Sequence, residues 1–179
     1  MRTRTQEAES DARLKLHHQY MFKPDSLPKP DIAGRAEIET LVNTFYERVR
    51  ADDVLGFIFN EVAHTNWTTH LPKMYAFWET VLFRTGGFTG NPLAAHARLV
   101  PVTDMGRDKF DHWLLLFRST VDDLFAGERA EHIKNCAADM ANVIYSRINQ
   151  VPDPRFDPAN LTPEQRERYA RYKPQPAHS

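Results

Sequence analysis

A single cysteine, Cys136, is all that the 179-residue chain contains. One thiol forms no internal bridge, so disulfide stapling is excluded and a reducing interior is favoured; Cys136 reads as a small apolar residue on a helix face. An excess of one charge is also lacking. The 23 Lys and Arg stand against 24 Asp and Glu, a net charge of −1 with no long block of either sign, which removes the electrostatic footprint of a nucleic-acid binder. No apolar run approaches the ~18 residues of a membrane span, and the N-terminus lacks the apolar stretch of a secretory signal. The expectation is a soluble cytoplasmic protein that engages neither nucleic acid nor membrane. Self-contained catalytic motifs are missing too: there is no His-Glu-x-x-His pair, no nucleophile elbow, no phosphate-cradling loop and no dinucleotide fingerprint. Eight histidines follow no zinc-ligand spacing, no repeat occurs at solenoid periods, and no stretch alternates long enough for a strand.

What is present is helical periodicity. Ile38, Leu41, Val42, Phe45, Tyr46 and Val49 share one face at three-and-four spacing. The segment Val54–Phe59 reads as a 3₁₀ or one-to-two-turn piece. A second helix starts near Asn66 or Thr68 and carries Leu71, Met74, Tyr75, Trp78, Val81 and Leu82; Pro72 calls for an early start or a local bend. After three glycines in 84–90, Asn91 offers a cap and Pro92 a first helical residue, so His96 falls one turn into a short helix that Pro101 ends. Asp104 caps a helix with Phe110, Trp113, Leu114, Phe117, Val121, Leu124 and Phe125 on one face. A last helix after Gly127 carries Ile133, Cys136, Ala137, Met140, Val143, Ile144 and Ile148.

These elements define an all-α domain over 34–150, in a chain long enough for one domain; a domain of about 150 residues buries roughly 70% of the surface of its unfolded chain. An N-terminal extension, 1–33, holds a candidate docking patch of Leu14, Leu16, Tyr20, Met21 and Phe22. A C-terminal extension, 151–179, holds Thr162-Pro163-Glu164-Gln165, the signature of a capped helix running through Tyr172.

The inward faces carry many aromatics, which means either a crowded core or a core wrapped around something flat. Taken one at a time, His96 is more often a surface or hydrogen-bonded histidine than a ligand, Tyr46 a core tyrosine, and Trp78 and Trp113 packing residues. Periodicity promotes none of them.

Their order does more. Phe45-Tyr46-Glu47-Arg48-Val49-Arg50, Gly56-Phe57-Ile58-Phe59-Asn60, Trp67-x-x-His70 leading into Met74-x-x-Phe77-Trp78, Gly90-Asn91-Pro92-Leu93-x-x-His96 and Phe110-x-x-Trp113-Leu114-x-Leu116-Phe117 together resemble the truncated haemoglobins of the third group, across about 35–150. The resemblance implies a truncated-globin helix-on-helix sandwich with haem b (iron protoporphyrin IX) between the helix of His70 and the short helix of His96. By position, His96 corresponds to the proximal iron ligand, and Tyr46, His70 and Trp113 to distal donors that stabilise the bound ligand. Phe45, Phe59, Met74, Phe77 and Trp78 correspond to apolar walls, and Lys73 and Arg98 to partners of the propionates or to solvated surface cations. Gly86-Gly87 is not read as the glycine pairs of other truncated-globin groups. Pro72 leaves open whether His70 points inward.

The function so implied is reversible binding of dioxygen and other diatomic ligands. Two alternatives stay open: a haem redox enzyme, a nitric oxide dioxygenase or peroxidase-like, served by a reductase; and a haem-free globin-like sensor or interaction domain. Oligomeric state is not legible.

Overall fold

The first helix of the domain, α1 (Arg35–Ala51), buries the six residues its periodicity selects, Ile38, Leu41, Val42, Phe45, Tyr46 and Val49. The Glu37 side chain accepts from the Gly34 N–H at 2.8 Å, satisfying a donor at the helix start. Asp52 ends α1 in extended backbone, and its Oδ1 accepts from the N–H groups of Val54 and Leu55 at 3.0 and 2.9 Å. The chain then passes close to the end of α1: a Cβ on Gly56 would lie 2.9 Å from the Arg50 carbonyl oxygen, so only glycine fits there.

The following segment, Phe57–Val62, is a π-helical turn. It was expected as 3₁₀ or as one to two turns; it has that length, but it winds wider, and the Ala63 N–H closes it by donating to Ile58 O at 2.8 Å. Helix α2 (Trp67–Phe83) starts after Asn66, whose side chain accepts from the Thr69 N–H. Pro72, its sixth residue, interrupts no more than its own missing bond, and the helix runs on to Phe83. Helix α3 (Pro92–Ala97) has the expected Asn91 cap and first-position proline. It stops before Pro101, at Ala97, and the chain continues in turns in which Leu99 N–H bonds His96 O. Helix α4 (Arg107–Leu124) is preceded by Gly106, so Asp104 is not its cap; Asp104 shapes the turn by accepting from the Gly106 N–H at 2.9 Å.

Helix α5 (Glu128–Ile148) starts after Gly127, at φ 139°, and receives its cap from a distance. The Asp31 carboxylate accepts from the N–H of Arg129 at 3.0 Å and of Ala130 at 2.9 Å. A Cβ on Gly127 would meet Asp31 Cγ at 2.5 Å, so the glycine answers both the backbone angle and this approach. The core also reaches N-terminal of residue 34: Ile32 is fully buried.

Helix α1 packs on α2 and α4, α4 packs on α5, and α2 and α3 both pack on α5. One apolar cluster joins Ile32, Leu41, Val42, Phe45, Phe117, Val121 and Ile133; a smaller one gathers Met105, Phe110, Ala141 and Ile144. The computed structural model describes residues 28–151, 162–164 and 167, and among these there is no strand. The chain divides into two units, Met1–Pro30 and Asp31–Ser179, and the fold above belongs to the second. The docking patch at 14–22 lies outside the described residues. So does most of the C-terminal helix, of which Pro163, Glu164 and Glu167 are helical.

Candidate functional site

Helix α3 is a mount for one side chain. Asn91 and Pro92 fix its start, which sets His96 one turn in, and His96 Nδ1 lies 2.7 Å from the Pro92 carbonyl oxygen. A carbonyl only accepts, so Nδ1 carries the hydrogen and Nε2 keeps a free lone pair. Burial holds the imidazole below its usual pKa, against the opposing pull of the Pro92 carbonyl. The Phe110 ring stands beside it at 6.2 Å between centroids.

The end of α1, the π-helical turn and the start of α2 bring four rings together. Tyr46 meets His70 edge-on at 5.0 Å, Trp67 at 5.5 Å and Phe59 at 5.8 Å. His70 therefore points inward despite Pro72, and its Nε2 is buried without a hydrogen-bond partner. Burial, with the charges of Lys73 and His96, pushes its pKa down to about 4, so the ring is neutral near pH 7. Burial also raises the Tyr46 phenol far above its usual range, so it remains an O–H donor.

Trp113 lies in a stack: Phe117 is sandwiched between Trp113, at 5.3 Å and 8°, and Trp78, at 4.8 Å and 22°. Phe45 abuts Trp113 and Phe117 edge-on. Phe45 and Trp78, expected as cavity wall, are 1% and 3% exposed. Protein covers them on all sides, so they back the wall instead of forming it. Phe59, Met74 and Phe77 keep half-buried surface, as do Leu71, Val81 and Leu82 on the same helix. Lys73 and Arg98 are exposed and make no ion pair among the described residues.

Some residues of this region went unassigned from the sequence. Trp67 precedes His70 by three positions, a spacing that puts both on one face of α2. Phe88 folds back from the α2–α3 loop onto Phe77 at 5.0 Å. His112 Nε2 pairs with Asp52 Oδ2 at 2.6 Å, tying α4 beside Trp113 to the end of α1; nothing in the spacing of residues 52 and 112 announces it.

A helical sandwich that presents one imidazole with a free ring nitrogen and, within electrostatic reach of it, a buried unpartnered imidazole beside a protonated phenol defines a globin-type site. The orphaned His70 Nε2 and the oriented His96 suit an iron porphyrin: one ring offers a lone pair, and the other side offers donors. The comparisons agree. A family model described as bacterial-like globin matches residues 30–146. The chain is 31% identical over 126 residues to the group 3 truncated hemoglobin ctb of Campylobacter jejuni, spanning 69% of this chain and 94% of that protein. The crystal structure of group III truncated hemoglobin from Campylobacter jejuni matches with a TM-score of 0.60 at 28% identity, covering 67% of this chain and 94% of that one. The chain belongs to the bacterial-like globins and, within them, to the group III truncated haemoglobins, a haem-binding family. No helix among its described residues is long and apolar enough to cross a membrane.

Proposed function

We propose that this truncated haemoglobin binds dioxygen and other diatomic ligands at a haem b whose iron is held by His96 Nε2. The observation that carries the reading is the His96–Pro92 hydrogen bond, which fixes the ring and leaves one nitrogen for a metal while His70 Nε2 waits unpartnered. Haem iron, when bound, supplies the coordination position for the diatomic ligand and the electrons for any redox step. Tyr46, His70 and Trp113 serve as hydrogen-bond donors to that ligand. Phe59, Met74 and Phe77 exclude water, with Phe45 and Trp78 supporting them. Lys73 and Arg98 are free to pair with the propionates. The related Campylobacter jejuni proteins are named as haemoglobins, which supports the assignment.

An absorption spectrum tests it. The purified protein should show a strong Soret band that shifts on reduction and with carbon monoxide. His96→Gly should lose the band or its coordination signature and regain it with added imidazole, which enters the space of the missing ring. A colourless parent that refuses hemin overturns the reading. The clustering of Tyr46 and His70 favours a second reading, oxidation of nitric oxide or reduction of peroxide with a reductase, because donors that retain a ligand suit reaction better than release. Stopped-flow mixing of the oxygenated protein with nitric oxide, with a reductant to recycle ferric iron, separates the two: ferric protein that forms within the mixing time and returns to the ferrous state for further turnovers supports redox chemistry.

A further inference from the structure

We propose that Arg50 is a positioning residue for the ligand side of this site: its guanidinium, stacked on Trp67, holds the Trp67–His70–Tyr46 cluster in place. The proposal rests on the haem reading above and adds a residue that touches neither haem nor ligand.

Arg50 lies in the last turn of α1 and Trp67 is the first residue of α2, so their contact joins two helix ends across the π-helical turn. The guanidinium carbon sits 4.1 Å from the Trp67 ring centroid. Arg50 is exposed and makes no ion pair among the described residues, so this stack is its principal contact. Trp67 in turn stacks on Phe59 at 5.9 Å and 22°, and meets Tyr46 at 5.5 Å and His70 at 5.7 Å. It therefore touches two of the three distal donors.

The backbone at the start of α2 is held by the Asn66 carbonyl, which accepts from the His70 N–H at 2.8 Å, but these bonds leave the Trp67 ring to be oriented by its own contacts. The indole N–H of Trp67 makes no hydrogen bond among the described residues. Only ring packing inside and Arg50 outside set its orientation. Releasing Arg50 lets Trp67 rock, and His70 and Tyr46 lose the surface that fixes their rings. A planar cation does this better than lysine, since a guanidinium lies flat on an indole.

The test compares the parent with Arg50→Ala, Arg50→Lys and an exposed α4 control, Arg118→Ala. Labelling with 5-fluorotryptophan gives one ¹⁹F line for each of the three tryptophans, with or without hemin. Arg50→Ala should move the Trp67 line, identified by its loss in Trp67→Phe, and leave those of Trp78 and Trp113 in place. In hemin-loaded, reduced protein, carbon monoxide should enter and leave about two- to fivefold faster in Arg50→Ala, the span a cation–π contact at an exposed site gives. Arg50→Lys should fall between parent and Arg50→Ala, and Arg118→Ala should match the parent. Unchanged rates and an unmoved Trp67 line in Arg50→Ala, in a parent that binds carbon monoxide, overturn the proposal and leave the haem reading intact. All three lines moving together with a lower melting temperature also overturns it, as a general loss of stability. A parent that takes up no hemin sinks the haem reading, while the ¹⁹F lines still decide whether Arg50 holds Trp67.

Discussion

Tyr46 keeps its proton because burial leaves a phenolate without solvent, so at any pH at which the fold survives its hydroxyl is a donor. Trp113 likewise carries only a donor, held flat by its stack on Phe117. Tyr46→Phe and Trp113→Phe each delete one donor with little change in volume or, for the tryptophan, a modest one. A hydrogen bond of about 1–1.5 kcal/mol corresponds to roughly a tenfold faster dioxygen dissociation in each variant. Stopped-flow displacement by carbon monoxide measures it, and parent-like rates in both variants would remove these residues from the ligand's surroundings. His70 adds a pH effect with a definite sign. Its imidazole takes up a proton near 6.5 when unfolded but only near 4 in the fold. Between those values the unfolded chain binds more protons, so stability should fall as pH drops from about 6.5 to about 4 and be complete above that window. Urea denaturation of the haem-free protein should show this slope, and His70→Gln should reduce it, leaving the part contributed by the buried His96. These positions were singled out by the order of motifs, whereas burial was not legible: nothing in spacing told Phe45 and Trp78, covered by protein, from Phe59 and Met74, which keep open surface.

Helices were legible where local pattern decides and illegible where distant groups do. All six positions selected on α1 are buried, because that helix is packed by α2 on one side and α4 on the other. On α2 the same kind of pattern leaves only Trp78 buried, and its other apolar residues pack against the core while keeping part of their surface. The π-helical winding of Phe57–Val62 was not legible, nor was the close seat of Gly56 on the end of α1, a contact that a six-residue window does not contain. The cap of α5 is the clearest case. Asp31 and Ala130 are 99 positions apart, so the sequence showed a glycine before the helix and not the carboxylate that completes it. Removing that carboxylate in Asp31→Ala should cost about 1–2 kcal/mol, the usual range for a lost cap. Gly127→Ala should cost about as much or more, because φ 139° strains any side chain and the new methyl would collide with Asp31. The double variant should be less destabilised than the sum, since the clashes with Asp31 Cγ and Oδ2 go while only the one with its Cβ stays. Denaturant midpoints of the four proteins check all three statements.

At the scale of the whole molecule, burial is uneven. The α1–α4–α5 centre, with Phe45, Phe117, Val121 and Ile133, is closed, and Phe110, Ala141 and Ile144 close a second cluster. The apolar side chains of α2 that pack against the first cluster, Leu71, Met74, Phe77, Val81 and Leu82, remain half-buried. A fold that leaves such apolar surface half-covered gains stability from a flat apolar occupant that covers it, since anything that binds only the folded state stabilises it by mass action. Free hemin at about a hundredfold its dissociation constant adds about 2.7 kcal/mol, which for a domain of this size raises the melting temperature by roughly 5–10 °C. The rise should grow with the logarithm of free hemin. In His96→Gly it should shrink, because the apolar contacts persist while the axial bond is gone, and imidazole should restore it. Melting followed by far-ultraviolet circular dichroism separates the contributions: an equal rise in parent and variant means that apolar burial alone holds the group, and no rise in either means that these side chains need no occupant between them.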